Sequence, residues 1–407
     1  MTSKEFSLRG KTQILFVISR FLDGGIDTVL VELLKNLVRN SSTLHGTLVI
    51  ANKMAGKEVF INQIPADVDV RYLVDEPWLQ RYKCWRLDGH HSHLLSFLDE
   101  VFLNPIRRIL QRKRFRRLQR KADVVIDMDS RAMSIIDWSQ LTLNIAYYHF
   151  SFQHMMDSHP HYIRRVARAL ARYDYVVAIS KEMAEEGIRL FPWLREKLVT
   201  IYNGVRRDHL LRLAAEEVTH PMWFRLSRQS YMLAVERLEE SQKDLTTLIE
   251  AYALLSQRMQ NIPHLVVLGE GNDRELLQKL INQHGLQEHI HLLGFTQNPY
   301  PWMKNAQLLV HSSKFEGLPT VLIEALMLGK QIVASDCPTG PREILADGKA
   351  GMLVPVGDVR ALADAMHAVL TDVALQERLR VGVRAQTVLF RPRENIVKLL
   401  GLLDEEA

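Results

Sequence analysis

The sequence predicts an α/β protein built from two doubly wound, Rossmann-like domains, and three observations carry that expectation. Short, nearly continuous Val/Ile/Leu runs alternate with amphipathic stretches from end to end, the pattern of parallel strands covered on both faces by helices. The runs fall into two series, separated by a less patterned stretch at residues 203–229. The chain has 407 residues, more than one hydrophobic core usually serves.

In the first series, strands are expected at Gln13–Ile18, Thr47–Ala51, Asp123–Asp127, Leu143–Tyr147 and Tyr175–Ile179, with a helix from Ile26 to Arg39 after the first. The second series offers Tyr231–Val235, Leu265–Leu268, His289–Leu293, Gln307–Val310 and Gln331–Ala334. The expected division is a first domain over 1–205, a second over 206–385, and a terminal helical segment, 386–407, packing back on the first.

Composition narrows the class. With 47% hydrophobic and 24% charged residues, the chain reads as globular with little room for disorder. Two cysteines far apart, Cys84 and Cys337, argue against a disulfide scaffold and for a reducing compartment. The polar start, MTSKEFSLRGK, has no signal-peptide core, and no stretch approaches the roughly 20 apolar residues of a membrane span. The expectation is a protein that is soluble or lies on a membrane without crossing it.

The net charge of +5 is local. Residues 107–121 carry nine Lys or Arg and no acid, so the rest of the chain is net acidic. Read as a helix, the run has a narrow apolar stripe of Leu110, Phe115 and Leu118 and a wide cationic face. That pattern suits an anionic bilayer, with Arg112, Lys113, Arg114, Arg116, Arg117, Arg120 and Lys121 as docking residues. Trp78, Tyr82 and Trp85 would add interfacial anchors. A nucleic-acid surface is the alternative for the same run, but no nucleic-acid motif accompanies it.

In open parallel sheets, ligands bind beyond the carboxyl ends of the strands, so the loops there carry the chemistry. Gly24 and Gly25 follow the first strand, where a backbone without Cβ can approach a ligand. Arg237 and Lys243 follow Tyr231–Val235 and could hold a diphosphate. The most specific segment is HSSKFEGLPTVLIEALMLGK, residues 311–330. Glu316 lies in its loop and Pro319 is expected as the first helical residue. Thr320 and Glu324 lie four apart on one helical face, and Gly329 is the expected terminal cap. The neighbours of Glu324 are almost all apolar, so its carboxylate is expected to have a dedicated partner. Asp127-Met128-Asp129 and the histidines 149, 154, 159 and 161 read as ordinary loop and cleft residues and not as metal ligands, and Ser180 reads as a helix cap.

In this order and spacing, the motifs resemble the retaining glycosyltransferases of family 4 (GT4), which have the GT-B fold. The resemblance covers nearly the whole chain. It runs from Gly24-Gly25 through His149, Asn203-Gly204-Val205, Arg237 and Lys243 to Gly269-Glu270-Gly271, Gly294-Phe295, Glu316-x7-Glu324 and FRPRENIVKLL. One departure is Asp244, which stands where the family has glycine after the lysine. The resemblance implies an active site in the cleft between the domains. Glu316 would bind the donor sugar and Glu324 the ribose. Arg237 and Lys243 would neutralise the diphosphate, with Leu318, Pro319 and Thr320 completing the anion site. His149 would lie beside the transferred sugar, Gly24 and Gly25 near donor phosphate and acceptor, and Gly294, Phe295 and Thr296 around the base. Gly269 and Gly271 belong to the same donor-binding set.

A nucleotide sugar, UDP-linked by family frequency, would then be a substrate; no cofactor or metal is expected. Segment PTGPREIL resembles bacterial members that build surface polysaccharides or lipid-linked glycans. That places the expected protein in the cytoplasm, peripheral on the anionic inner face of the inner membrane. A sugar-nucleotide epimerase of the same fold is the alternative within enzymes.

Overall fold

The computed structural model describes residues 12–404, apart from 23, 24, 41–43, 55, 88 and 91. They form two α/β units. The first takes in Met1–Ile179, Ala184–Gly204 and Pro392–Ala407; the second takes in Ser180–Met183 and Val205–Arg391.

The sheet of the first unit contains β1 (Thr12–Ile18), β2 (Leu44–Ile50), β3 (Asp69–Tyr72), β4 (Val124–Asp127), β5 (Leu143–Tyr148), β6 (Tyr175–Ala178) and β7 (Leu198–Thr200). All neighbours are parallel, in the order β3-β2-β1-β4-β5-β6-β7. Its central strands are buried on both faces, which is why they read as unbroken apolar runs. The helix Pro392–Asp404 packs on the helix Gly25–Asn40 and buries Ile396, Leu399 and Leu402. A side chain at Gly204 would put its Cβ 2.6 Å from the Pro392 backbone, so glycine lets the two ends of this unit's main body touch.

The second unit's sheet contains β8 (Tyr231–Val235), β9 (His264–Leu268), β10 (Ile290–Gly294), β11 (Leu308–His311), β12 (Gln331–Ser335) and β13 (Met352–Val354). Its order is β10-β9-β8-β11-β12-β13, again all parallel. The stretch 203–229 is less irregular than its composition suggests, since it holds the short helices Arg207–Leu213 and Trp223–Leu226. Pro319 precedes the helix Thr320–Met327 with extended backbone instead of opening it. Ser180 caps the helix Lys181–Leu190, its hydroxyl accepting from the Met183 N–H at 3.2 Å. Among the described residues, no helix is long and apolar enough to cross a membrane.

The basic run corrects an expectation. It is helical over Asn104–Gln119, but Arg107, Gln111, Phe115 and Gln119 face inward at four-residue spacing. Phe115 is fully buried, so the run's own apolar stripe belongs to the core and is not a bilayer face. Arg107 forms a buried bidentate pair with Asp99, at 2.8 and 2.5 Å, and also donates to the Leu79 carbonyl. Several of the proposed docking cations are likewise engaged by the fold. Arg112 donates to the Ser134 carbonyl at 2.8 Å, Arg114 pairs with Glu76 at 2.5 Å, and Arg116 lies 2.8 Å from Asp137. Lys113, Arg117, Arg120 and Lys121 are exposed.

Breaking a buried ion pair leaves an uncompensated charge, so Arg107→Ala is expected to lower unfolding stability by about 3–5 kcal/mol. Exposed Arg117→Ala should stay within about 0.5 kcal/mol of wild type. Urea denaturation of both variants checks the contrast, and equal stabilities would remove Arg107 from the framework.

Candidate functional site

In each sheet, the strand order reverses its direction of growth at one place: between β1 and β4 in the first unit, and between β8 and β11 in the second. The loops leaving such a pair diverge to opposite faces and open a crevice at the strand ends. The candidate residues gather at these two points.

In the second unit, Glu236 and Arg237 follow β8, and His311 ends β11 with Glu316 five residues on. The two loops are fastened together. Lys314 N–H donates to the Gln242 carbonyl at 2.7 Å, Ser312 Oγ to the Lys243 carbonyl at 2.8 Å, and Gln242 Nε2 to the Phe315 carbonyl at 3.2 Å. This brings Lys243 Nζ to 2.5 Å from Glu316 Oε1. His311 Nδ1 lies 2.7 Å from Glu236 Oε1 and Nε2 lies 3.5 Å from Glu316 Oε1. Two cations and two carboxylates thus alternate in a buried corner. Burial acts to raise Glu316, but His311 and Lys243 overcome it and hold its carboxyl down at about 2. Burial acts to lower Lys243, yet Glu316 and Glu236 keep the ammonium above its ordinary value. His311 follows the same logic: burial opposes its charge, and Glu236 and Glu316 push it up to about 9. Arg237 stays outside this corner. Its side chain is 69% exposed, 3.4 Å from Glu239, where an anionic ligand can reach it.

The lysine loop holds the family departure. Asp244 takes the left-handed conformation, with φ 50°, which aspartate tolerates better than most residues. Its side chain accepts from Thr247 Oγ1 at 2.9 Å and lies 3.2 Å from Lys314 Nζ, contacts that glycine could not make. Gly269 and Gly271 have a packing role: a Cβ on either would lie 1.8 Å from the Glu236 carbonyl oxygen or 2.2 Å from that of Leu238. The loop after β9 therefore lies flat against the loop after β8. The Gly269 N–H bonds the Gly294 carbonyl at 2.8 Å, joining the end of β10 to the same stack, with Phe295 exposed beside it and Thr296 close to Asn298.

The helix Thr320–Met327 starts after the Glu316–Pro319 loop, with Leu318 buried beneath it. The positive end of its dipole therefore lies at the strand ends. Glu324 has the dedicated partner that its apolar setting demands: Tyr300 Oη donates to it at 3.1 Å. Burial pushes Glu324 up to about 7, against the pull of that hydrogen bond.

In the first unit, Gly24 lies outside the described residues and Gly25 opens the helix Gly25–Asn40. His149 follows β5, and its Nε2 lies 2.7 Å from the Met128 carbonyl. A carbonyl only accepts, so Nε2 carries the proton and Nδ1 is left as an acceptor. Burial lowers His149 to about 4, so the ring is neutral at pH 7. The Asp127-Met128-Asp129 run holds loops together. Asp127 accepts from the Ala132 N–H at 2.8 Å and Tyr173 Oη at 2.6 Å, and Asp129 accepts from the Ser19 N–H at 3.0 Å.

Sequence reasoning missed Glu236, His311 and Tyr300. For the first two a signal was present: each is a charged or titratable residue at the carboxyl end of an apolar strand run. Because His311 is raised from 6.5 to about 9 on folding, it stabilises the fold fully below about pH 6.5. That contribution is lost as pH rises from about 6.5 through 9, a loss on the order of 3 kcal/mol. Denaturation at pH 6, 7.5 and 9.5 should show this decline in wild type and a flatter profile in His311→Gln. Parallel profiles would separate His311 from the charge network.

Two family models match the chain: "Glycosyltransferase Family 4" over residues 23–209 and "Glycosyl transferases group 1" over residues 221–386. Among curated relatives, the Campylobacter jejuni N-acetylgalactosamine-N,N'-diacetylbacillosaminyl-diphospho-undecaprenol 4-alpha-N-acetylgalactosaminyltransferase is 29% identical over 53% of this chain and 56% of its own length. The Mycobacterium leprae phosphatidyl-myo-inositol mannosyltransferase is 33% identical over 46% of this chain and 49% of its own. The chain spans about half the length of these relatives. The crystal structure of Anabaena HepE with UDP superposes with a TM-score of 0.74 at 17% identity, covering 97% of this chain and 100% of that one. The fold is therefore GT-B. The two matches lie one on each parallel-sheet unit, and the chain belongs to the GT4-type glycosyltransferases.

Proposed function

We propose that this protein transfers a sugar from a nucleotide-sugar donor, UDP-linked by preference, to a glycan or lipid-linked glycan, with retention of anomeric configuration and without a bound metal. The observation that carries this reading is the corner at the ends of β8 and β11, where Lys243 and Glu316 are both kept charged beside a helix start. A leaving diphosphate gains negative charge as the sugar gains oxocarbenium character. Cations already fixed in a desolvated site stabilise that charge without reorganising. Lys243 is such a cation, the exposed Arg237 on the same loop would reach the diphosphate from outside the corner, and the backbone at Leu318, Pro319 and Thr320 adds the helix dipole. These charges belong to the chain, so the leaving group needs no divalent ion.

Glu316, ionised, accepts from hydroxyls of the transferred sugar, Glu324 accepts from the ribose, and Gly294, Phe295 and Thr296 receive the base. His149 offers a neutral Nδ1 to a substrate hydroxyl. The UDP complex of the Anabaena structure supports a UDP donor. The diphospho-undecaprenol in the Campylobacter relative's name supports a lipid-linked acceptor. Such an acceptor would bring the protein to the anionic inner face of a bacterial inner membrane.

Acceptor-dependent transfer from UDP-sugars should persist at full rate in EDTA, and NMR of the product should show the donor's anomeric configuration. Activity lost in EDTA and restored by Mn²⁺ would overturn the metal-free part, and an inverted product the stereochemical part. Lys243→Ala and Glu316→Ala should each lower kcat by roughly 10²-fold or more.

Glu324 titrates at about 7 in the free protein, and ribose hydroxyls need its carboxylate form. UDP affinity should therefore fall about tenfold per pH unit below 7 and level off above it. Calorimetry across pH 5.5–8.5 should show this bend in wild type and not in Glu324→Gln.

A further inference from the structure

The helix His93–Leu98, a widened turn at Asp99–Leu103 and the helix Asn104–Gln119 run end to end. The inward side is pinned by the Asp99–Arg107 pair and by Gln111. Gln111 Nε2 donates to the Ala51 carbonyl at 3.3 Å and to Asn52 Oδ1 at 3.0 Å, immediately beyond the carboxyl end of β2. The chain runs from this helix into the start of β4, so the residues before Gln111 project past the carboxyl ends of the strands, the end where this unit's candidate residues lie.

The outward side of that projecting part is apolar. Leu94 is 68% exposed, Phe97 62%, Phe102 60% and Ile109 65%, with Val101 and Ile106 also exposed between them. Spacings of three to five residues, with Val101 and Phe102 adjacent in the widened turn, put them on one side of the continuous helical rod. Further along the same outward side, the residues change to Arg108, Arg112, Lys113, Arg117, Arg120 and Lys121, all exposed. Trp78, exposed at the start of the helix Pro77–Leu87, is tied to this rod through the bond from Arg107 to the Leu79 carbonyl. A contiguous apolar patch bordered by unbroken positive charge is complementary to one kind of surface: an apolar interior beneath an anionic headgroup layer.

We infer that the outward side of residues 94–109 inserts into an anionic phospholipid bilayer, with the exposed cations Arg108, Lys113, Arg117, Arg120 and Lys121 resting on its headgroups. The inserting face is thus the segment before the basic run, and the run supplies the rim. This specifies the membrane part of the proposed function and rests on it. It also sets the carboxyl end of the first unit's sheet toward the lipid.

The test is co-sedimentation of the full chain with vesicles of phosphatidylglycerol and phosphatidylcholine, or of phosphatidylcholine alone, alongside UDP binding by thermal shift. Wild type should bind the phosphatidylglycerol vesicles at least tenfold more tightly than the neutral ones. Phe97→Asp/Phe102→Asp should lose that binding at every salt concentration, and Lys113→Glu/Arg117→Glu should lose the preference for anionic lipid. Both variants should keep wild-type melting curves and UDP shifts. The inference is overturned if wild type ignores phosphatidylglycerol vesicles or if the Asp variant binds them like wild type. It also fails if the Asp variant instead turns a wild-type dimer into monomers, which would assign the patch to a second copy. Wild type that binds UDP but neither kind of vesicle sinks this surface alone. Absence of UDP binding with lipid binding intact sinks the donor reading and leaves the surface standing.

Discussion

Glu236, Lys243, His311 and Glu316 occupy one dry corner at the ends of β8 and β11, and none of the four is tolerable there alone. A buried ion without its counterion carries a desolvation cost that nothing repays. The four must therefore arrive together, from two loops at different places in the sequence. Everything around the corner serves that delivery. The backbone bonds between residues 242–243 and 312–315 set the loops at one height. The glycine-bearing loop after β9 supports them on one side. On the other side Gly340, with φ 99°, packs against Pro319 and the Gly317 carbonyl, leaving no room for a Cβ.

The two units differ electrically at corresponding places. In the first, burial and the neighbouring Asp129 push Asp127 up to about 8, and burial holds His149 neutral. Arg20, Arg131 and Asp129 still bring charge to that crevice, so the contrast lies in the buried groups: the second unit's crevice buries opposite charges. A reaction that separates a sugar from a diphosphate fits this division.

The central strands were legible because double burial forces unbroken apolar runs. The strands that escaped notice, β3, β7 and β13, are all sheet edges: they are short and only partly buried, so their sequences carry no such run. The basic helix misled for a related reason. Arg107 and Phe115 look equivalent to a cationic face and an apolar stripe until the position of Asp99 is known, and that pairing spans a widened turn the sequence does not announce. At the site, Lys243, Glu316 and Glu324 stood out by motif, while Tyr300 could be found only through the fold that sets it against Glu324. Asp244 looked like a defect in the pattern, but its side-chain contacts with Thr247 and Lys314 accompany the strained backbone.

The return of Pro392–Asp404 to the first unit has a consequence for how the protein is made. The helix Gly25–Asn40 is translated before the body of the second unit, and the helix that covers its apolar side is translated after it. Until residues 392–404 are made the first unit carries an uncovered greasy seam, while the second unit, contiguous but for Ser180–Met183, is translated in between. The order of translation and the order of structural completion therefore run in opposite senses: the unit begun first is finished last. Nascent chains stalled before residue 392 should be the species most in need of a chaperone.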